Sequence, residues 1–360
     1  MELPHSSLAG IIARIKILSN LKIDEHRAPQ DGRFKLVTSD YKVSFRVSIL
    51  PVFDGEKIVL RLLKESGGIV QLEQLGFNPA ALEIIQKNTK KPHGMILVTG
   101  PTGSGKTTTL YTILNTLNTP QVNIATIEDP IEYRMPGINQ SQVNPRINYT
   151  FATGLRALLR QDPNIIMVGE IRDSETANIA VNAALTGHLV FSTLHTNDAV
   201  TSLPRLLDME VPAFLIASTV NIIVAQRLVR KVCPACIQSY NLTKHDIEEL
   251  KKMFDLDSIM KTLIREKVVS PKEASWESML FYKAKGCEQC KNEGYKGRIG
   301  VYEVLELNEE VRDLVAKKAD SDQLKTVAKK QNMINLVEDA FIKAKNGITT
   351  IDEIIRVTRE

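Results

Sequence analysis

The sequence predicts an α/β fold with a mostly parallel central sheet, on three observations. From Met95 onward, short β-prone apolar runs at 95–98, 122–127, 165–168 and 189–192 alternate with helical stretches, the pattern of strands buried on both faces. The first run leads into a glycine-rich turn and then a helical spacing of Leu110, Ile113, Leu114 and Leu117. Upstream of these runs lies a segment of a different kind, which gives a smaller α+β domain.

In chain order, Leu8, Ile11, Ile12, Ile15 and Leu18 recur at helical spacing and predict an amphipathic first helix. Val43, Phe45, Val47 and Ile49 then alternate with Ser44, Arg46 and Ser48, and Ile58, Leu60 and Leu62 alternate around Arg61. Two strands follow, with both arginines on the face away from the core. Asn78-Pro79 reads as an N-cap and first-turn proline opening a helix that ends near Lys91, and Pro92-His93-Gly94 as a hinge. The expected organisation is an N-terminal α+β domain at 1–91, the hinge at 92–94 and a nucleotide-binding α/β core at 95–232. A tetracysteine module at 233–298, with a glycine-rich hairpin around 294–300, and a mainly helical C-terminal region at 299–360 complete it.

At 360 residues the chain exceeds the size at which one core keeps growing. Apolar residues at 43%, charged residues at 24% and a formal charge of +4 are ordinary for a globular protein and by themselves call for neither nucleic acid nor an anionic membrane. The most apolar stretch, 214–225, is too short to span a bilayer and reads as a buried helix. Residues 1–7 lack the features of a secretory signal, so the expected location is the cytoplasm.

Gly100-Pro-Thr-Gly-Ser-Gly-Lys-Thr107 fits G-x-x-x-x-G-K-[ST] between a strand and a helix, the context a phosphate loop requires. Gly100, Pro101, Thr102, Gly103, Ser104 and Gly105 supply the wrapping backbone. Lys106 is expected to reach the β- and γ-phosphates of ATP, Thr107 to ligate Mg²⁺, and Thr108 to extend the cradle into the helix. The next two strands run into carboxylates, Glu128, Asp129 and Glu132 after one and Glu170 after the other. Phosphoryl transfer needs one carboxylate for the attacking water and one for the metal. Carboxylates at strand ends also cap turns, and spacing does not choose between these roles for Glu128 and Asp129. His188 and His195 flank the following strand; each either donates to the terminal phosphate or satisfies a buried carbonyl.

Cys233-x-x-Cys236 and Cys287-x-x-Cys290 give four thiolates for a structural Zn²⁺ site, with Pro234 inside the first pair and Gly286 and Gly294 flanking the second. The long stretch between the pairs must form a small helical excursion.

Together these residues resemble the secretion ATPase superfamily, specifically its type II secretion and type IV pilus assembly ATPases. The resemblance rests on Ala28-Pro-Gln-Asp-Gly-Arg33, the Walker A loop, an aspartate box at 126–133, Leu158-Leu-Arg-Gln-Asp-Pro163, a Walker B segment at 167–173 and a histidine box at 186–196. It implies a RecA-like P-loop core and a PAS-like N-terminal domain. It assigns Glu132 to water activation, Glu170 to magnesium support, and His195, with His188 behind it, to nucleotide sensing. Arg46 and Arg61 match arginines that reach the phosphates, and Arg156, Arg160 and Arg172 match positions lining active-site and subunit interfaces. It further implies a homo-hexamer that associates peripherally with the inner membrane through a platform protein and moves pilin or pseudopilin subunits. The tetracysteine module resembles that of assembly and secretion ATPases rather than retraction ATPases. A DNA translocase would need a basic or aromatic stripe, which the sequence does not concentrate anywhere, and a non-catalytic nucleotide switch would not need Lys106, Glu132 and Glu170 together.

Overall fold

In a computed structural model, which describes residues 4–38, 42–64 and 70–359, the apolar spacing of the first segment forms helix α1 (Leu8–Leu18). Strands β1 (Gln30–Val37), β2 (Lys42–Val52) and β3 (Gly55–Lys64) make an antiparallel sheet in that order. Val47 and Ile49 are fully buried as the alternation demands, whereas Leu60 and Leu62, expected on the same core face, are largely exposed. Lys16 of α1 is fully buried and lies 2.7 Å from Glu56, which also receives His26 at 2.8 Å. Burial of that lysine is tolerable because its charge is paired.

The second compact unit begins before the expected hinge: it takes in Val70–Pro130 and 136–360, while Ile131–Met135 groups with the N-terminal elements. Helix α2 (Pro79–Thr89), N-capped by Asn78 as the sequence predicts, therefore belongs with the unit that follows it. Strand β4 (Gly94–Thr99) starts at the last residue of the expected hinge, where Asn221 Nδ2 donates to His93 O (3.1 Å). Helix α3 (Lys106–Leu117), β5 (Ile124–Glu128), the short polar strand β6 (Asn139–Gln142), α4 (Phe151–Leu158), β7 (Ile165–Val168), α5 (Ser174–Leu185) and β8 (Leu189–Leu194) follow. After α6 (Ser202–Asp208), the apolar run at 214–225 does not form one helix. It divides into α7 (Ala213–Thr219) and β9 (Val220–Val232), because Val220, Ile222, Ile223 and Val224 are β-branched and complete the sheet.

Between the cysteine pairs come β10 (Ile237–Asn241), α8 (Lys244–Met253), α9 (Leu256–Arg265) and β11 (Leu280–Ala284), with β10 and β11 paired antiparallel. The hairpin expected around 294–300 is instead the start of one long strand, β12 (Tyr295–Glu306), antiparallel to β9. The main sheet thus runs β12-β9-β4-β8-β7-β5-β6, parallel from β9 onward. Helices α10 (Glu309–Ala316), α11 (Ser321–Lys330), α12 (Leu336–Lys345) and α13 (Ile351–Arg359) close the chain.

One core lies around the sheet; a second joins Leu250, Ile259 and Phe281 of the cysteine-linked excursion to Phe341 and Ile354 of α12 and α13. The expected boundary at 298/299 therefore cuts through β12 and a shared core. Segment 70–91 is tied to the same strand: Phe77 stacks on Tyr302, and Glu306 accepts from Lys87 and Asn88, both at 3.0 Å. Among the described residues no helix is long and apolar enough to cross a membrane.

Candidate functional site

The glycine-rich loop leaves β4 at Gly100 and enters α3 at Lys106, at the carboxyl ends of the parallel strands, where open α/β sheets bind ligands. Gly103 (φ 80°) and Gly105 (φ 91°) adopt left-handed conformations that only glycine enters without strain. A Cβ at Gly100 would stand 2.4 Å from the carbonyl oxygen of Gln226. Gln226, buried on β9, donates from Nε2 to Ser104 O (2.7 Å) and accepts on Oε1 from Thr109 Oγ1 (2.7 Å). One amide thus pins both the loop and the first turn of the helix. Lys106 is nearly buried, its Nζ donating to the carbonyls of Gly100 (2.8 Å) and Pro101 (3.1 Å). Burial lowers its pKa and the charge of Glu170 works against that shift. Thr107 is half-buried, and Thr102 and Thr108 are exposed.

Glu170 follows β7, buried to 8% exposure, with Arg172 Nε at 2.6 Å and His195 Nε2 at 3.3 Å. β8 carries His195 past its carboxyl end, on the side of the sheet where the phosphate loop starts. His188 precedes the same strand, so roughly 20 Å of extended chain separates the two histidines. Its Nδ1 lies 3.0 Å from Ala183 O at the end of α5. His188 thus sits at a helix end, at the opposite end of β8 from His195.

Glu128 is buried and held by the hydroxyl of Tyr111, by Thr126 Oγ1 (2.5 Å) and by Gln140 Nε2 (3.2 Å), all donating to it. Its oxygens are committed to the protein, whereas Asp129 and Glu132 are exposed. Arg156 pairs with Glu175 at 2.7 Å, and Arg160 Nη1 donates to Arg156 O (2.9 Å).

Within the N-terminal unit, Arg46 faces Arg61 across one strand pair and Arg33 across the other. Directly opposed residues of antiparallel strands share a face, so three arginines form one row, Arg46 half-buried between exposed Arg33 and Arg61. Glu56, the nearby carboxylate, is engaged by Lys16 and His26. Arg33 Nη1 donates to Ile131 O (3.3 Å), which ties the row to the segment bearing Glu132.

The sulfurs of Cys233, Cys236, Cys287 and Cys290 all lie within 4.8 Å of one another. Cys233–Cys287 and Cys236–Cys290 are separated by 3.9 Å and Cys287–Cys290 by 3.7 Å. Four thiolates at the usual zinc–sulfur length of about 2.3 Å stand roughly 3.8 Å apart, so the donor set fits zinc. Backbone N–H groups of Cys287 (3.1 Å) and Gly294 (3.3 Å) donate to Cys290 Sγ. Burial raises the Cys290 pKa, but these donors bring it to about 7, while burial and the neighbouring thiols push Cys236 to about 12. The first thiolate opposes the next, and a divalent cation would relieve that opposition.

The family model described as "Type II/IV secretion system protein" matches residues 1–356. The chain belongs to this family. Type IV pilus assembly ATPase PilB of Thermus thermophilus is 45% identical over 99% of this chain and 38% of that protein. Type II secretion system protein E of Pseudomonas aeruginosa is 44% identical over 99% of this chain and 67% of that protein. Type IV pilus assembly ATPase TfpB of Acinetobacter baylyi is 46% identical over 99% of this chain and 58% of that protein. The chain thus spans between about two fifths and two thirds of the length of these curated relatives. Among solved structures, the pilus retraction motor PilT with bound ADP superposes with a TM-score of 0.64 at 27% identity, over 93% of this chain and 78% of that one. The ATPase DotB of Legionella pneumophila gives 0.66 at 23%, over 100% and 85%, a likeness of fold.

Two site features of this type II/IV secretion system protein are not legible in the sequence. Gln226 lies far along the chain in an apolar run with no motif of its own; only its polarity inside a buried strand marks it. Arg33 lies within the Ala28–Arg33 motif, but its alignment with Arg46 and Arg61 depends on strand register, which alternation does not specify.

Proposed function

We propose that this chain hydrolyses ATP and turns the reaction into mechanical work for type IV pilus assembly. The supporting observation is the phosphate loop at the carboxyl edge of the sheet, with Lys106 held in the loop and Glu170, Arg172 and His195 joined beside the neighbouring strand ends. Phosphoryl transfer depends chiefly on positioning and electrostatic stabilisation, and this set supplies both. Backbone amides of 103–107 bind the phosphates, Lys106 neutralises the terminal ones, and Thr107 with Glu170 would hold Mg²⁺. The metal would supply charge neutralisation across the phosphates. Glu132, exposed and uncommitted to a buried network such as that around Glu128, orients and deprotonates the water. Arg33, Arg46 and Arg61 provide positive charge for the phosphates when the units close. His195 reports nucleotide state through Glu170.

Work on the pilus implies a homo-hexameric ring on the cytoplasmic face of the inner membrane, attached through a platform protein, that adds pilin subunits. The cysteine cluster holds Zn²⁺ as a structural clamp. A second reading, type II secretion with pseudopilin as the moved subunit, is favoured by the 44% identity to type II secretion system protein E. Complementation of strains lacking either motor distinguishes the two.

Phosphate release by purified protein tests the enzymatic reading. Glu132→Gln should lower turnover by about 10²- to 10⁴-fold, the usual range for a general base, while nucleotide binding persists. Lys106→Ala should lose binding. A Glu132→Gln variant that keeps more than about a tenth of wild-type turnover sinks the water-activation role.

A further inference from the structure

Residues 196–199, directly after His195, are gripped from two directions. Toward the phosphate loop, Thr196 N donates to Thr99 Oγ1 (2.9 Å), and the hydroxyls of Thr99 and Thr196 lie 2.7 Å apart. Thr99 ends β4 and immediately precedes Gly100. Toward the C-terminal elements, Ala199 N donates to Glu303 Oε1 (2.8 Å), and Lys325 Nζ of α11 lies 3.3 Å from Asp198 Oδ2. Arg227 of β9 donates to Asn197 Oδ1 (3.3 Å). A short segment therefore joins the start of the phosphate loop to β12 and α11.

Glu303 is unusual among these contacts. It comes from the middle of β12 and is only 5% exposed. A carboxylate in such a place costs free energy that an apolar side chain would not. It is held by backbone amides, of Ala199 in the loop and of Leu336 at the start of α12, not by a cationic partner: Lys325 reaches Asp198. Glu303, Asp198, Lys325, Lys329, Asp255 and Glu338 border one cavity of about 420 Å³ between the loop, α11 and the start of α12. α11 meets the His195 loop through the Lys325–Asp198 pair and through a shared core in which Ala199 and Val200 pack with Leu324, Val327 and Ala328.

We propose that Glu303 is a positioning residue, anchoring the His195 loop to β12 so that nucleotide occupancy and the placement of α11 and α12 are coupled through residues 196–199. The coupling rests on the ATPase reading given above. Displacement of Ala199 moves Thr196, and Thr196 bears on Thr99 at the root of the phosphate loop. In the reverse direction, a change at His195 reaches α11 through Asp198 and Lys325. A chain of hydrogen bonds becomes a coupling path only if both ends respond, so the experiment reads both ends.

Glu303→Ala removes the acceptor, whereas Glu303→Gln keeps an oxygen for the Ala199 N–H. At saturating ATP, Glu303→Ala should lower kcat at least about fivefold with KM for ATP within about threefold, and Glu303→Gln should keep more than about half of wild-type kcat. Amide hydrogen exchange, measured with and without a non-hydrolysable ATP analogue, should show α11 and α12 responding to the analogue in the wild type and not in Glu303→Ala. If Glu303→Ala fails to fold, Lys325→Ala replaces it. That side chain is 47% exposed, and its loss should weaken the same response. Unchanged kcat in the alanine variants, or helices indifferent to the analogue in wild type, overturns the proposal while leaving the ATPase reading intact. A wild type that neither binds the analogue nor releases phosphate overturns both.

Discussion

Glu303 also carries a test of its own at the level of one proton. Burial pushes its pKa to about 7 from a reference of 4.5, Asp198 adds to the rise, and the Ala199 and Leu336 amides, with Lys325, hold it back. Because the folded state binds this proton more tightly than the unfolded chain, folding is favoured while the group stays protonated. Stability therefore falls as pH rises from about 4.5 to about 7 and stays reduced above that, with a full cost on the order of 3 kcal/mol. Glu303→Gln cannot ionise. Its thermal midpoint should exceed that of wild type at pH 8, and the gap should close as pH falls toward 4.5. An equal midpoint at pH 8, or a gap that widens on acidification, would show that the carboxyl is not held in the way its surroundings require. Lys106 obeys the same logic with opposite charge: burial weakens its ammonium form, and bound phosphate would restore it.

Among the elements, the three-stranded sheet poses a conflict between stability and charge. Arg33, Arg46 and Arg61 stand directly opposite one another across β1, β2 and β3, and like charges in directly opposed cross-strand pairs are destabilising. Arg46 meets that repulsion on both sides. Arg46→Gln should therefore raise the unfolding midpoint of the N-terminal unit while lowering ATP turnover at least about tenfold, because the row loses its central charge for the phosphates. A variant that is both less stable and fully active would remove the functional reason for the row. The arginines were legible as residues: alternation of Val43, Phe45, Val47 and Ile49 placed Arg46 on the outer face, and the phosphate loop with its strand and helix was readable from glycine spacing and apolar runs. Elements that depend on distant partners were not legible. The run at 214–225 reads as helix until β4 is present to accept Ile222, Ile223 and Val224 as a neighbouring strand. The segment around 294–300 reads as a glycine-rich hairpin until β9 pairs with it as part of β12. His188 and His195 look equivalent beside one strand, and only strand direction separates them.

Over the second unit as a whole, β9 and β12 run from the nucleotide site to the cysteine cluster, which makes them the spine on which a metal would act. At one end β9 contributes Gln226 to the phosphate loop and β12 contributes Glu303 to the His195 loop. At the other, β9 ends at Val232 immediately before Cys233, β12 begins at Tyr295 immediately after Gly294, and Cys233 N donates to Gly294 O (2.9 Å). The four cysteines thus close the open ends of an antiparallel pair. Purified protein should contain one zinc per chain, and because structural zinc contributes roughly 10 to 16 kcal/mol of apparent binding free energy in small peptides, its removal should release that closure. Loss should not spread evenly. Between the cysteines and the phosphate loop the spine is fastened again, by Arg230 to Glu353 at 2.6 Å and by Val232 N to Ile348 O at 2.9 Å, and the sheet core around Ile223, Val224 and Ala225 is fully buried. Chelation should therefore raise hydrogen exchange first in β10, β11 and the cysteine-proximal ends of β9 and β12, with nucleotide binding preserved until the fastening gives way. Elemental analysis without zinc, or four freely reactive thiols in the native protein, would refute the clamp. Exchange that rises at Gln226 as early as at Val232 would instead show that the metal supports the nucleotide site directly.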